Sequence, residues 1–541
     1  MKKELFYLLT GLILLLPNMS FAQAPNLGAA ANFVLFSTNG AVSNSGISQL
    51  TGDVGTNNGS STGFGNVNGG MHDGDTASIQ CAADLLIAYN QLNSATPAFF
   101  PAPSLGNGQS LNAGVYSITG ASTLNSNLIL NGQANSNAVF IFQIQGSFST
   151  SASSKIKLIN GAQACNVFWK VEGLVSIASG TTMRGTIIAN NAAINMNTGD
   201  TLEGRALSIA GAVTVDGILA YTPIGCGSPV LSGPIAPVLG AAACYAIFSS
   251  NGAVSNTGIS TITGDIGSNN GSATGFDSLT VTGNIHLIPD GSTAQCAADL
   301  LVAYNYVNTL PYDIKLLYPA QFGRNLVLTP HTYLLDAATV FTDSLFLNAQ
   351  GNTNAVFVIQ INGALTTSTY SKVLLINGAQ SKNVYWKIEG AVSINNYSVF
   401  CGTIICNNGA LGALNTGVML DGRALTTAGA LTATAVNAVA TMIPTNCGTV
   451  GIQSHDASIM NETVTIYPNP FNTLLNIKIN NEFQFNKTEL KIYNVLGENV
   501  LNTSITKQLT TLETANLQSG IYFYRVIEDT DIIQSGKLIS K

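Results

Sequence analysis

A chain of 541 residues is too long for a single core, and two or three domains are expected. Hydrophobic residues make up 46% of it and charged residues only 9%, against about 25% in ordinary globular domains, so Asn, Thr, Ser and 54 glycines carry its polarity. A net charge of −7 with only 20 lysines and arginines leaves no basic patch, which argues against nucleic acid or anionic membrane as a partner.

In chain order, residues 1–22 read as a secretory signal peptide. Lys2 and Lys3 form the charged end, Leu5 to Leu16 the apolar run, and Ser20 and Ala22 the small-residue positions before Gln23. The rival, a membrane anchor, needs ~20 apolar residues, more than this run supplies. The expected export places the eight cysteines in a disulfide-permissive compartment.

From Leu27 the chain is a duplication. LGAAANFVLFSTNGAVSNSGIS returns from Leu239 as LGAAACYAIFSSNGAVSNTGIS, TGDVGTNNGSSTGF as TGDIGSNNGSATGF, and LINGAQACNVFWKVEG as LINGAQSKNVYWKIEG. The expected domains are residues 23–226 and 239–447, joined by a Pro/Gly/Ser linker at 227–238. A second linker, 448–463, precedes a tail at 464–541. Cys81 matches Cys296 and Cys226 matches Cys447, so Cys81–Cys226 and Cys296–Cys447 are the pairings to test. Cys165, Cys244, Cys401 and Cys406 have no counterpart and read as free buried thiols, with Cys401–Cys406 left open as a pair.

Within a unit, TASIQCAADLLIAYNQLNSA from Thr76 has helical periodicity, with Ile79, Ala82, Leu86 and Tyr89 on one face and Thr76 or Ser78 as N-cap. The matching helix begins near Ser292. The rest is short alternating runs between Gly and Asn, such as SKIKLING, NVFWKVEG and GRALSIAG, which read as strands. Gly185 returns as Gly204, and Gly402 as Gly422, about nineteen residues later. That interval suits a β-helix whose coils have three short faces, with a β-sandwich as the alternative.

LGAAANF, TGDVG, QCAADLLIAYN, the Leu111–Tyr116 run, NAVFIFQI, LINGAQACNVFW and EGRAL, in this order, resemble the bacterial and microalgal ice-binding protein family. The resemblance covers both units and implies a fold: two tandem discontinuous right-handed β-solenoids of triangular cross-section, each with one long flanking helix. It also implies a partner, the ice crystal surface, met by rows of Thr-Ala/Gly-x-Thr/Asn on a flat face. In the first unit Thr150 to Ser153, Ser179 to Thr182 and Thr198 to Thr201 approximate the motif. The candidate contacts are Thr150, Ser153, Ser179, Thr181, Thr182, Thr198 and Thr201, expected to be coplanar. In the second unit the candidates are Thr367, Thr369, Thr416, Thr432 and Thr434; the rows from Thr367 and Thr432 keep part of the pattern, while the row with Tyr397 and the row from Thr416 to Met419 break it with bulky groups, which favours the first unit. The rival reading is a structural or adhesive surface protein of the same fold that binds glycans or cells.

The tail is richer in charge and aromatics, and its alternating runs predict a small antiparallel β-sandwich. Tyr467-Pro468-Asn469-Pro470, the turn from Tyr493 to Gly497, the Gly520-Ile521-Tyr522 strand and the basic end at Lys541 resemble the type A C-terminal sorting domain of the type IX secretion system. That resemblance implies export across a gram-negative outer membrane by the type IX machinery, then attachment to surface lipopolysaccharide or release. A carbohydrate-binding module is the rival for this segment.

Enzyme readings are weak. Gly59-Ser60-Ser61-Thr62-Gly63 fits the G-x-S-x-G elbow, but its repeat partner carries Ala273 at the nucleophile position. The four histidines are scattered, and Asp53 and Asp265 recur as turn-capping candidates. Asp73-Gly74-Asp75 offers two carboxylates for calcium, but the second unit reads Ile288-Pro289-Asp290 and keeps only one of them, so no metal and no cofactor are assigned. The expectation is a non-enzymatic protein.

Overall fold

The computed structural model describes residues 22–226, 230–445, 447, 464–479, 488–528 and 531–541. The expected signal peptide up to Phe21 and the expected 448–463 linker lie outside the described residues. The chain divides into two units, Met1–Thr449 and Val450–Lys541. The larger holds two parallel β-solenoids and the smaller an antiparallel β-sandwich.

In the first solenoid each coil lays down three short strands on three faces. Val42–Ser45, Ile194–Met196 and Val213–Asp216 belong to an eight-stranded sheet on one face. The strands of the other two faces merge into one sheet because Thr182–Ala189 and Thr201–Ala210 bend through the corner between them at Gly185 and Gly204. Inward residues stack rung upon rung, and Phe142 lies between Tyr116 and Trp169 with ring centroids 5.1 and 4.0 Å away. Such a column is the solenoid's core, built from the alternation visible in the sequence.

Chain order and stacking order differ. Phe33–Asn39 pairs with Thr201–Ala210 on one side and Asp53–Asn58 on the other, so the first coils of the chain sit on its last. Helix α1 (Thr76–Ser94) then carries the chain back along the stack, and Ser104–Gly106 starts at the opposite edge. Its 19 residues span about 28 Å, the height of roughly six rungs. The second solenoid repeats this plan with α2 (Gly291–Thr309).

The rotation of α1 differs from the sequence expectation. Ser78, Cys81, Leu85, Ala88 and Leu92 are buried against Phe33, Phe36, Ile141, Phe168, Ile188 and Leu207, while Ile79 and Leu86 are exposed. Both stripes share one period, and the small Ser78, Cys81 and Ala88 let the helix approach a flat sheet closely. The N-cap is Asp75, which accepts from Ser78 N at 2.9 Å, rather than Thr76 or Ser78.

In α2 the capping Asp290 also meets His286 Nδ1 at 2.6 Å, while Asp265 stands 3.8 Å from Nε2. Asp265 and then Asp290 hold the His286 pKa above its ordinary value against the opposing effect of burial. A raised folded pKa stabilises the fold fully below the unfolded value, and that contribution is lost as pH rises through the folded value. We expect His286→Gln to lower the unfolding midpoint below pH 6 by ~2–4 °C, about 1 kcal/mol for a partly exposed pair, with the deficit vanishing at pH 9. Thermal melts at the two pH values check this.

The disulfides are Cys165–Cys226 and Cys244–Cys447, and Cys81, Cys296, Cys401 and Cys406 are free and buried. This overturns the Cys81–Cys226 and Cys296–Cys447 pairings and the reading of Cys165 and Cys244 as free thiols, while Cys401 and Cys406 are free and buried as expected. Cys81 and Cys296 face the sheet beneath the helices, on the buried helix stripe. The repeat rule failed because the terminal cysteine keeps its place in both units while its partner does not: Lys382 stands where Cys165 is, and Asn32 where Cys244 is.

In the smaller unit, Val464–Tyr467, Leu474–Ile479 and Leu509–Glu513 form one sheet. Asn499–Ser504, Thr488–Tyr493, Gly520–Glu528 and Asp531–Ser540 form the other. Phe471, Leu475, Leu490, Val526 and Leu538 share the core between them. Asn469 ties its turn to the last strand, accepting from Ile539 N and donating to Lys537 O, both at 2.9 Å.

Candidate functional site

The eight-stranded face of the first solenoid is uniform because each rung there reads inward–outward–inward. Val175 and Ile177 point into the core around Ser176, Ile194 and Met196 around Asn195, and Val213 and Val215 around Thr214. Parallel register stacks the outward residues into one column: Ser104, Thr123, Ser149, Ser176, Asn195, Thr214, Ser43 and Thr62. Beside it, Ser151 Oγ donates to Asn125 Oδ1 at 2.7 Å, and Ser45 pairs in register with Asp216. Asp216 is the carboxylate of this second column; hydrogen bonds from Thr198 Oγ1 (2.6 Å) and Ser45 Oγ (2.9 Å) lower its pKa.

The next face is chemically different. Lys155, Lys157, Arg184 and Glu203 project from it, Arg184 and Glu203 forming an ion pair. The remaining face lies under α1, clamped by Tyr89 and Asn190, which bond Glu172 at 2.6 and 2.8 Å, with Lys170 paired to the same carboxylate. Tyr304, Asn407, Glu389 and Lys387 repeat the clamp in the second unit. Only the eight-stranded face is both open and nearly free of charge.

The expected contact rows do not lie on one plane. Thr150, Thr181 and Thr367 point inward, with exposures of 7%, 0% and 1%. Their hydroxyls serve the interior: Thr150 Oγ1 accepts from Ala178 N at 2.9 Å and sits 3.1 Å from Thr181 Oγ1, and Thr367 Oγ1 accepts from Asn395 N at 2.8 Å. Ser153, Ser179, Thr198, Thr369 and Thr416 are exposed but occupy the corner after the flat sheet. Thr182 and Thr201 are paired in register on the lysine-bearing face. Thr432 and Thr434 do lie on the flat sheet of the second solenoid, in register with Ser255 and Thr257. The correction has a simple cause. A four-residue window beginning at Thr150 starts on an inward residue and then turns the corner, where Ser153 has φ +59°.

Sequence reasoning missed Ser149, Ser176, Asn195 and Thr214, one to three positions earlier. Their signal was the triplet of one polar residue between two apolar ones, as in VSI, INM and VTV. The second solenoid's flat sheet presents Val340, Thr366, Ser393, Thr432, Ser255 and Thr274, bounded by stacked, exposed Tyr370 and Tyr397 with ring centroids 5.1 Å apart.

Other residues weighed in the sequence have local roles. Ser61 Oγ donates to Asp73 at 2.6 Å on the end strand of the flat sheet. Asp53 and Asp265 accept from the backbone N–H groups of Gly70 and Asn284, each at 2.7 Å.

A helix-flanked parallel solenoid, duplicated and carrying one open, weakly charged Ser/Thr/Asn face, defines the class. The Ice-binding-like family model matches residues 36–219 and 248–439, and the Secretion system C-terminal sorting domain model matches 465–541. The chain belongs to the Ice-binding-like family and carries a C-terminal sorting domain for secretion. It is 59% identical to a crystal structure of an ice binding protein from an Antarctic bacterium Flavobacteriaceae, with a TM-score of 0.75 over 77% of this chain and 98% of that one. The ice-binding protein of Nostoc sp. (strain HG1) is 37% identical over 200 residues, 36% of this chain and 73% of that protein. Ice-binding protein 1 of Shewanella frigidimarina (strain NCIMB 400) is 25% identical over 406 residues, which span 66% of this chain and only 43% of that protein.

Proposed function

We propose that this exported protein adsorbs to ice through the flat eight-stranded face of its first solenoid, without catalysis. The observation that carries the reading is the unbroken outward column from Ser104 to Thr62. Neighbouring rungs lie about 4.8 Å apart and alternate residues along a strand about 6.7 Å apart, so hydroxyl, amide and methyl groups stand on a rigid two-dimensional grid. Such a grid holds water in a near-lattice order that merges with a crystal plane. The charges of the neighbouring face would bind water strongly in other orientations. Contact through many weak groups makes flatness the governing property, so one bulky residue in the middle lifts the whole face.

The sorting domain supports delivery by the type IX machinery across a gram-negative outer membrane. The body then stays on surface lipopolysaccharide or is shed. Among the expected residues, Thr198 at the corner and Thr432 and Thr434 on the second flat sheet remain candidate contacts.

The test is ice-affinity partition and thermal hysteresis of Ser176→Tyr and Asn195→Tyr, with Lys157→Tyr on the neighbouring face as control. Loss of at least about nine-tenths of the hysteresis in the first two, with an unchanged control, is expected. Full activity in both central variants overturns the reading. A parent protein with no ice activity that binds glycans or cells instead supports the adhesive alternative.

A further inference from the structure

We infer that the flat faces of the two solenoids act as a single ice-contacting surface, locked in phase by a buried polar splint centred on Asn68. The inference rests on the proposal that such a face meets ice, and it concerns what joins the two.

The first solenoid ends in the coil after Asp53, and the second begins with the coil around Tyr318 to Leu328. Between them Asn68 is 2% exposed, donates to Thr329 Oγ1 at 3.0 Å and lies 2.7 Å from the Tyr333 hydroxyl. Asn66 makes a two-way clasp with the backbone of one residue, donating to Tyr318 O at 3.0 Å and accepting from Tyr318 N at 2.9 Å. Gln49 Nε2 donates to Arg324 O at 3.0 Å. An apolar junction would tolerate sliding, whereas the bonds of Asn68 are directional and, being buried, costly to leave unmade, and the exposed bonds of Asn66 and Gln49 add further direction.

The bonds also set the rotation. Gln49–Thr51 follows the flat-sheet strand Val42–Ser45 around one corner, and Leu326–Leu328 follows the flat-sheet strand Phe322–Gly323 around the same corner of its own solenoid. Those two post-corner strands pack on each other across the junction. With a three-faced cross-section, matching one face matches all three, so the flat sheets lie on the same side. On that side the column ending at Thr62 is followed by Val340, Thr366 and Ser393 and, beyond the small Gly412–Ala413 rung, by Thr432, Ser255 and Thr274 on the second sheet. Two coplanar faces on a stiff joint engage one crystal plane together, and a loose joint forfeits that gain.

The experiment uses the full chain in three forms: Thr366→Tyr, the double variant Asn66→Ala/Asn68→Ala, and Ser176→Tyr. Thermal melts confirm folding, and paired spin labels at Ser176→Cys and Thr366→Cys report the joint. Expected are about a tenfold loss of ice-partition affinity in the first two forms, and a narrow inter-label distance that broadens when the splint is removed. If Ser176→Tyr abolishes activity while Thr366→Tyr leaves it intact, the shared surface is wrong and the single-face reading stands. If the label distance is already broad in the parent, the splint is wrong whatever the activities. Should Ser176→Tyr itself have no effect, the ice-contact reading falls, and this inference with it.

Discussion

Cys447→Ser lowers the unfolding midpoint of the second solenoid by about 10–20 °C while leaving its folded structure unchanged. The bond joins residues 203 apart, so its loss releases a loop nearly as long as the whole solenoid in the unfolded chain. Loop-closure entropy for that length is worth about 5 kcal/mol, and for a domain of this size each kcal/mol moves the midpoint by ~2–4 °C. The position matters as well as the length. Cys244 closes the short helical turn Gly240–Cys244 that opens the solenoid, and Cys447 follows its last described coil, so the bond ties the first coil in chain order to the last, which lie side by side within the stack. Calorimetry with and without reductant checks this, and Cys296→Ser serves as a control that touches no disulfide. Equal midpoints for Cys447→Ser and the parent under non-reducing conditions would refute the assignment.

Gly204→Ala destabilises the first solenoid by more than about 3 kcal/mol, through a clash rather than a lost contact. A Cβ on Gly204 falls 1.9 Å from the carbonyl oxygen of Gly185, its partner one rung away, and backbone has no rotamer to escape into. Gly185 itself has φ +102°, which a side chain adopts only under strain. The strand turns from one face to the next at this corner, so neighbouring rungs come too close for any side chain. Thermal melts should place Gly204→Ala at least ~6 °C below the parent, while Gly65→Ala, with open space around it and no left-handed φ, changes the midpoint by less. The second unit predicts its own behaviour, since a Cβ on Gly422 also falls 1.9 Å from the Gly402 carbonyl oxygen.

Those glycines were legible in the sequence because they recur at the coil interval, and recurrence is what stacking demands. The same logic exposed the duplication, the three-faced coils, the two helices and the antiparallel tail. Each follows from a local pattern: period two for strands, period 3.6 for helices, and Gly or Asn where the chain turns. Composition likewise indicated a body whose polarity is carried by uncharged groups.

Three things were decided only by tertiary structure. The rotation of α1 followed from which stripe fits the sheet, because Ile79 and Cys81 both lie on helically spaced faces. The partners of Cys226 and Cys447 depended on which neighbour approaches the solenoid end in space, and sequence repetition carries no information about that distance. The proposed contact face lies a few residues from the expected rows, since Thr150 and Ser149 are equally plausible by type, and only the pleat of the folded strand turns one hydroxyl inward and the other to the surface. Side-chain chemistry and spacing are local properties of the chain; which face a residue ends on, and what lies across from it, are properties of the whole stack.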